Sequence, residues 1–233
     1  MSARSAVVTG GSGGIGRACA RVLLDRGYDV VLTARNASRL EAAARDLGAR
    51  WAAADSADPE GVERVMEVAG RPAIVVHAAG ILEGTFVRDQ SVEIFDRVLE
   101  ANLRSAYVVT KAALARMEAG GRIIYISSTA GLKGMKGLTA YSASKSGLGA
   151  LAQSVAAEVE RDGIAVHLVT PAPVRTDMID PESGLTMWLL EPEDVASAVA
   201  WLDSLHPRVV VREIVLRSVV KGPFAPEPVG KRR

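Results

Sequence analysis

Short apolar runs alternate with stretches of helical periodicity along this chain, and few folds accommodate that alternation. The apolar runs are continuous, as at Val30, Val31 and Leu32, and do not alternate with polar residues. Continuous runs are typical of parallel strands that helices cover on both faces of the sheet. The sequence therefore predicts a three-layer α/β domain. In the first half, the predicted strands are residues 6–9, 29–33, 50–54 and 73–77, and helical stretches end at residue 26 and cover 38–47 and 59–69.

The second half of the chain continues the same alternation. Ser91 is a good helix N-cap, and the helical stretch that follows it runs to Glu118. At 233 residues and 24.5 kDa the chain suits one α/β domain better than two, so residues 1–221 are predicted to form a single domain and 222–233 a proline-rich basic tail. The remaining predicted strands are residues 122–127, 164–169 and 209–216, and the remaining helices are 140–161 and 193–203.

A glycine-rich segment joins the first predicted strand to the first predicted helix. It satisfies the pattern G-x-G-x-x-G from Gly11 to Gly16 and the pattern T-G-x-x-x-G-x-G from Thr9 onward. At such a junction, glycines let the backbone approach a pyrophosphate, and the helix N-terminus directs N–H groups at it. The segment predicts a dinucleotide site in a doubly wound, Rossmann-type sheet. The cofactor contacts predicted here are Gly10, Ser12, Gly13, Gly14, Ile15 and Gly16.

The residues after the second predicted strand indicate which dinucleotide is bound. An acid there would bind the 2′-hydroxyl of NAD, whereas this chain has Arg35, with Arg17 just after the glycine loop. Two guanidiniums without a carboxylate favour a 2′-phosphate, so NADP(H) is predicted over NAD(H). The alternative is that Arg35 only caps a loop. Asp55 and Ser56 follow the third strand, where the carboxylate either binds the adenine or caps the next helix.

Composition and charge narrow the class of protein further. The 28 basic and 27 acidic residues nearly balance, so no nucleic-acid partner is expected. The single cysteine, Cys19, fits a reducing compartment, and the chain has neither a cysteine pair nor clustered histidines for a metal. The N-terminus runs directly into a strand and leaves no room for a signal peptide, and no apolar run approaches the length of a membrane span. A cytoplasmic protein with no metal and no membrane contact is therefore predicted.

Tyr141 and Lys145 are four residues apart, which on a helix places both side chains on one face. An ammonium nearby favours the phenolate and lowers the tyrosine pKa from its ordinary value of about 10. A tyrosine tuned in this way can exchange a proton with an alcohol or carbonyl oxygen. Ser128, at the end of the preceding strand, can hydrogen-bond the same oxygen. The alternative is an ordinary exposed helix pair, and the motifs elsewhere in the chain favour the chemical interpretation.

Taken together, these motifs make the chain resemble the short-chain dehydrogenase/reductase family, in its single-domain branch, from Val7 to about Leu216. The shared motifs are the glycine loop, Asp55 after the third strand, an N-A-G-like turn after the fourth strand, and the spacing of Tyr141 and Lys145. The resemblance implies a sheet of about seven parallel strands in the order 3-2-1-4-5-6-7. It also implies an oxidoreductase that uses a nicotinamide cofactor.

The resemblance further implies a catalytic set of four residues. Asn102 would hold a water that links Lys145 to solvent, and Ser128 would orient the substrate oxygen. Tyr141 would donate or accept the proton, while Lys145 would lower the Tyr141 pKa and hydrogen-bond the nicotinamide ribose. Ser127 is the neighbouring candidate, but spacing and the family pattern favour Ser128. Further cofactor contacts are implied at Ala79, Gly80, Tyr141, Lys145, Val174 and Thr176.

Two positions depart from the family pattern. His77 stands where the family has an asparagine before the turn, and we expect the turn to survive because an imidazole also hydrogen-bonds backbone. A functional imidazole is the alternative. Ala172 replaces the glycine that usually follows Pro171. Since alanine resists positive φ, an altered backbone is expected beside the nicotinamide.

The second half also carries expectations about partners and substrate. The helix at 140–161 is rich in small residues, and family members form a subunit interface there, so a homodimer or homotetramer is predicted. Lys133 and Lys136 either attract an anionic group or are simply solvated. The segment between Asp177 and Leu190 is predicted to form either a substrate-covering lid or ordinary core. Its apolar members are Met178, Ile179, Leu185, Met187, Trp188, Leu189 and Leu190.

The predicted function is hydride transfer with NADP(H), between the cofactor and a small or acyl-type ketone or the corresponding secondary alcohol. Three alternatives stay open: a 3-oxoacyl thioester reductase, an NAD-linked alcohol dehydrogenase, and a non-catalytic NADP-binding sensor or scaffold. The intact set of Asn102, Ser128, Tyr141 and Lys145 argues against the sensor.

Overall fold

The computed structural model describes residues 4–178 and 189–219. Within these residues, parallel strands form a seven-stranded sheet in the predicted order 3-2-1-4-5-6-7. The strands are β1 (Ser5–Thr9), β2 (Asp29–Thr33), β3 (Arg50–Trp51), β4 (Pro72–His77), β5 (Arg122–Ile126), β6 (Ala165–Pro171) and β7 (Glu213–Leu216). The helices are α1 (Gly14–Asp25), α2 (Ala37–Leu47), α3 (Pro59–Ala69), α4 (Val92–Leu99), α5 (Ser105–Leu114), α6 (Thr139–Val159) and α7 (Pro192–Ser204).

Successive residues of each central strand pack into different cores. Val8 of β1 belongs to the core built with α1, α2 and α7, whereas Val7 packs with α3 and α5 on the other face. A further cluster joins α6 to β5 and β6. The buried free thiol of Cys19 lies in the first of these cores. The continuous apolar runs therefore form a parallel sheet covered on both faces, as predicted.

The two edge strands are shorter than predicted. β3 covers Arg50–Trp51 instead of residues 50–54, and β7 covers Glu213–Leu216 instead of 209–216. The chain after β3 still follows β2, because the Ala52 N–H donates to the Leu32 carbonyl at 3.0 Å. An edge strand has one neighbour only, so its pairing ends where that neighbour ends or where the chain diverges.

The predicted helix from Ser91 to Glu118 is interrupted. Ser91 caps α4 as expected, but a π-helical segment at Glu100–Arg104 separates α4 from α5, and α5 ends at Leu114. Asn102 lies in this π segment, with its side chain bonded to two other parts of the protein. A π turn inserts one extra residue into a helix, and such insertions are frequent at functional sites.

Further predictions concern the C-terminal tail, the proposed lid and membrane-spanning segments. The proposed tail at 222–233 and the lid residues Ile179, Leu185, Met187 and Trp188 lie outside the described residues. Leu190 is described and is buried in the core, so the lid interpretation is wrong for this residue. Among the described helices, none has the length and apolarity needed to cross a membrane.

Candidate active site

A cleft of about 520 Å³ lies at the carboxyl ends of β1, β2 and β4, where nucleotides bind in open parallel sheets. Most of the predicted cofactor contacts line this cleft. Val174 is an exception, because its side chain packs in the core beside Leu190. Tyr141 and Lys145 are not part of the cleft wall and lie behind it. The predicted residues that line the cleft are Gly10, Ser12, Gly13, Gly14, Ile15, Gly16, Arg35, Asp55, Ser56, Ala79, Gly80 and Thr176.

The glycine loop is folded tightly enough that side chains would not fit at two positions. Gly10 has a φ of 65°, and a Cβ there would lie 2.8 Å from the Ala78 carbonyl oxygen. A Cβ on Gly16 would lie 2.2 Å from the Gly10 carbonyl oxygen. The first turn of α1 thus packs directly on the turn that precedes it. This close packing leaves the backbone open to the cleft, which is the requirement for approach to a pyrophosphate.

Gly16→Ala should therefore weaken NADPH binding by on the order of a hundredfold, because the added methyl group forces Gly10 and the loop apart. The measurement is NADPH fluorescence titration, with a thermal melt to confirm folding. Gly149→Ala in α6 is the matched control, since a Cβ there meets only Leu168, at an ordinary 3.8 Å. Equal NADPH affinity in the Gly16 and Gly149 variants would contradict the assigned role of the loop.

Two arginines line the cleft after β2, but they are not the predicted pair. Arg35 is exposed and lines the cleft, as expected. Arg17 instead pairs with Asp46 at 2.7 Å and does not line the cleft, so its predicted role is wrong. The second guanidinium comes from Arg39, which lines the cleft and pairs with Asp177 at 2.8 Å. Asn36 could have indicated this residue in the sequence, because an asparagine N-cap at Asn36 places Arg39 in the first turn of α2.

Asp55 lines the cleft and does not cap the next helix. Its Oδ1 accepts from the Ala57 N–H at 2.9 Å, which closes a short turn. The cap of α3 is Asp58, which accepts from the Glu60 and Gly61 N–H groups. The capping alternative for Asp55 is thus wrong, and its carboxylate faces the cleft beside Ser56.

Behind the cleft, the loop after β5 and the start of α6 bring the predicted catalytic side chains together. Lys145 Nζ donates to the Ile126 carbonyl at 3.0 Å and lies 5.8 Å from the centre of the Tyr141 ring. A Cβ on Gly80 would lie 2.9 Å from Asn102 Oδ1 and 3.7 Å from Lys145 Nζ, so both side chains lie close to this glycine of the cleft wall. Ser127 is buried and its hydroxyl donates to the Lys145 carbonyl, which leaves Ser128 as the half-buried serine beside Tyr141.

Burial shifts the pKa values of both Tyr141 and Lys145. Burial raises the pKa of Tyr141 above its ordinary value, and hydrogen bonding with Ser128 partly opposes the rise. Burial also lowers the pKa of Lys145 to about 8. The sequence predicted that Lys145 lowers the Tyr141 pKa. In this structure the Tyr141 pKa is raised instead, because burial disfavours the charged phenolate. At neutral pH, Tyr141 carries its proton.

Asn102 joins the cleft to the catalytic helix through its side chain. Its Oδ1 accepts from the Ile81 N–H at 2.7 Å, and its Nδ2 donates to the Ile81 carbonyl and to Ser144 Oγ, both at 3.0 Å. Ser144 in turn donates to the Tyr141 carbonyl at 2.7 Å. The amide thus holds the chain after β4 against α6. The water-holding role implied by the resemblance stays a prediction.

The two departures from the family pattern are free of backbone strain. His77 is buried at the end of β4, where its Nδ1 lies 3.0 Å from Thr9 Oγ1 and its Nε2 lies 3.2 Å from Ser105 Oγ. The survival of the family's turn after β4 stays a prediction. None of the described non-glycine residues has a positive φ, so Ala172 is accommodated without strain, and the altered backbone expected there also stays a prediction. The Ala172 N–H donates to the Leu216 carbonyl at 2.8 Å.

The loops beyond the catalytic group carry exposed apolar and basic side chains. Lys136 is exposed, and its Nζ lies 5.4 Å from the centre of the exposed Phe86 ring, a cation–π contact. Thr85 and Leu138 form an isolated bridge that fastens the two loops together. Met178 is exposed on the opposite side and lines the cleft.

Comparison with known proteins gives consistent results. Residues 4–184 match the family described as short chain dehydrogenase. A 3-oxoacyl-[acyl-carrier-protein] reductase FabG from Rickettsia bellii is 33% identical over 218 residues, which are 88% of this chain and 90% of the relative. A dehydrogenase/reductase from Sinorhizobium meliloti superposes with a TM-score of 0.84 at 32% identity, covering 93% of this chain and 94% of that one.

A second solved structure bears on the cofactor. It is a short chain dehydrogenase from Burkholderia cenocepacia in complex with NADP. It superposes with a TM-score of 0.83 at 32% identity, covering 91% of this chain and 96% of that chain.

Proposed function

Because this chain belongs to the short-chain dehydrogenase/reductase family and is therefore an oxidoreductase, we propose that it transfers hydride between NADP(H) and a carbonyl or secondary alcohol carbon. The observation that carries this proposal is that Lys145 lies close to Gly80 of the dinucleotide cleft and beside Tyr141, which is in turn hydrogen-bonded with Ser128. A proton donor placed there can reach an oxygen whose carbon faces the nicotinamide.

The cleft residues fit a dinucleotide. The glycine loop presents backbone where a Cβ would collide, so Gly10 and Gly16 leave room for a pyrophosphate at the N-terminus of α1. Asp55 offers an acceptor to the adenine. When bound, NADP(H) supplies the hydride chemistry, and the protein supplies orientation and the proton.

The 2′-phosphate of NADP(H) matches the charge at the end of β2. Arg35 and Arg39 both line the cleft there, and guanidinium groups bind phosphate through charge-assisted hydrogen bonds. Asp177 engages Arg39 through one nitrogen only, at side-chain exposures of 60% and 88%. Such an exposed pair contributes at most about 1 kcal/mol, so a phosphate dianion competes with it easily. The NADP bound by the Burkholderia structure supports the same preference.

Tyr141 carries its proton at neutral pH and can therefore act as the acid when a carbonyl is reduced. A protonated phenol can donate to a carbonyl oxygen as the carbonyl carbon is reduced, while Ser128 hydrogen-bonds the same oxygen. Lys145, with a lowered pKa of about 8, can exchange its own proton readily near neutral pH and restore that of the tyrosine. Asn102 keeps α6 in place during the reaction.

A 3-oxoacyl thioester is the second candidate substrate. The Rickettsia relative carries that activity in its name, and the exposed Phe86 with Lys136 would suit an extended substrate that bears an anionic group.

A homodimer or homotetramer is also part of the proposal, since Ala143, Ser146 and Ala150 leave a flat, exposed face on α6. The cytoplasmic location stays a prediction from the single cysteine.

The proposal is tested by measuring the loss of NADPH absorbance in the presence of a panel of ketones and a 3-oxoacyl thioester. We expect NADPH oxidation with at least one panel member, and a thioester preference if the second candidate is right. The matched assay with NADP and secondary alcohols measures the reverse direction. Tight NADPH binding without turnover in either direction would favour the sensor instead, and equal rates with NADH would favour the NAD-linked enzyme.

A further inference from the structure

The imidazole of His77 stands at the junction of three elements that build the cleft. In the sheet, His77 of β4 lies between Thr9 of β1 and Tyr125 of β5. Its ring is 1% exposed and contacts the Tyr125 ring edge-on at 6.4 Å. Its two nitrogens face hydroxyl groups on different elements, Thr9 on β1 and Ser105 on α5.

The partners of these hydroxyl groups determine which ring nitrogen carries the proton. Ser105 Oγ donates its proton to the Ala101 carbonyl at 2.7 Å, so it can only accept from His77 Nε2. The neutral ring then has its lone pair on Nδ1, and Nδ1 accepts from the Thr9 hydroxyl. Thr9 Oγ1 remains free to accept from the Ala79 N–H at 3.1 Å. A single arrangement of protons satisfies every group in the chain of bonds.

A charged ring would break this arrangement. With both nitrogens protonated, Nδ1 would no longer accept from the Thr9 hydroxyl, and that hydroxyl would lose its acceptor. The ring is buried, and the ammonium of Lys145 on α6 is the charged group whose field it experiences. Burial and that ammonium together lower the pKa of His77 to about 3, so the ring is neutral at physiological pH.

The bonds end on residues that form the cleft wall. Ala79 belongs to the chain after β4, Ala101 lies within the π segment, and Ser105 follows it directly; all three line the cleft. We infer that His77 is a positioning residue for cofactor binding, whose neutral imidazole holds the turn after β4 and the π segment at the spacing that NADP(H) requires. The inference rests on the proposed function for the identity of the ligand.

The chain offers a conservative rescue and a matched control. The side-chain amide of asparagine overlaps Nδ1 of histidine, so His77→Asn keeps the contact with Thr9, whereas His77→Ala loses both contacts. Thr9→Val removes one hydroxyl at nearly constant volume and deprives Ala79 of its acceptor. Thr110→Val removes an equally buried hydroxyl, bonded to Tyr125 at 2.6 Å, from a position that does not line the cleft.

The experiment measures the NADPH dissociation constant, the kcat at saturating NADPH and the hydrogen exchange of the Ala79 amide. We expect Thr9→Val and His77→Ala to weaken NADPH binding by about tenfold or more, the size of a lost buried hydrogen bond. We expect Thr110→Val to stay within about threefold of wild type in affinity, and His77→Asn, which keeps the Thr9 contact but loses the Ser105 contact, to fall between wild type and His77→Ala. The kcat of every folded variant should change less than its affinity, and the Ala79 amide should lose protection in Thr9→Val.

Three results would overturn the inference. His77→Ala or Thr9→Val could bind NADPH as wild type does, Thr110→Val could weaken binding as much as Thr9→Val, or the Ala79 amide could remain protected in Thr9→Val. Because the exchange measurement needs no cofactor, it tests the contact even if the wild-type chain fails to bind NADPH. That failure would contradict the proposed function and not the assignment of the bonds.

Discussion

Tyr141→Phe should lower kcat by on the order of a thousandfold while NADPH affinity stays close to that of the wild type. In the proposed reaction the phenol oxygen exchanges a proton with the substrate, and Tyr141 is not among the residues that line the cleft. Phenylalanine fills the same volume in this buried position, so the fold should be retained. Single-turnover oxidation of NADPH, together with a fluorescence titration, separates the chemical step from binding.

Tyr125→Phe is the matched control for that variant. Tyr125 is also buried, and its hydroxyl bonds to Thr110 at 2.6 Å, away from the cleft. The control should lose about 1 kcal/mol of unfolding free energy and little activity, because only a hydrogen bond in the core is removed. Undiminished turnover in Tyr141→Phe would show that the proton comes from elsewhere.

The second large effect is expected for the double variant Arg35→Ala/Arg39→Ala. Removing both guanidiniums should raise the KM for NADPH by on the order of a hundredfold, since each charge-assisted contact to phosphate contributes about 1.5 kcal/mol or more. The KM for NADH should change less than about threefold, because NADH lacks the 2′-phosphate. The ratio of kcat/KM values for the two cofactors is the measured quantity.

Arg17→Ala provides the control for charge alone. This guanidinium lies near the glycine loop but pairs with Asp46 outside the cleft, so neither KM should change by more than about twofold. If the double variant raised the KM values for NADPH and NADH equally, the two arginines would have no role in choosing the cofactor.

The sequence was sufficient for the parts of the fold that depend on local pattern. The continuous apolar runs correctly predicted a sheet covered by helices on both faces, and the glycine loop correctly predicted a cleft at the end of β1. The spacing of Tyr141 and Lys145 correctly placed both residues on α6. These features need only the period of a strand or helix and the size of the side chains.

Features that depend on contacts distant in the chain were not predictable in the same way. Arg17 on α1 pairs with Asp46, whereas Arg39 on α2 lines the cleft, and this difference depends on how the two helices lie in the folded protein. The π segment contains Asn102, whose side chain bonds to Ile81 and to Ser144, and the second of these residues is 42 positions away. The pKa of Tyr141 depends on how deeply the folded protein buries the ring.

The amide of Asn102 also bears on how this protein can diverge in substrate choice. One side chain ties the chain after β4 to α6 through three hydrogen bonds, in addition to the bridge between Thr85 and Leu138. Exchanges at the exposed residues 86–89 leave these bonds in place, so they can alter which molecules enter without disturbing the proposed alignment of acid and hydride donor. New specificities can arise at the entrance while the reaction itself is inherited intact.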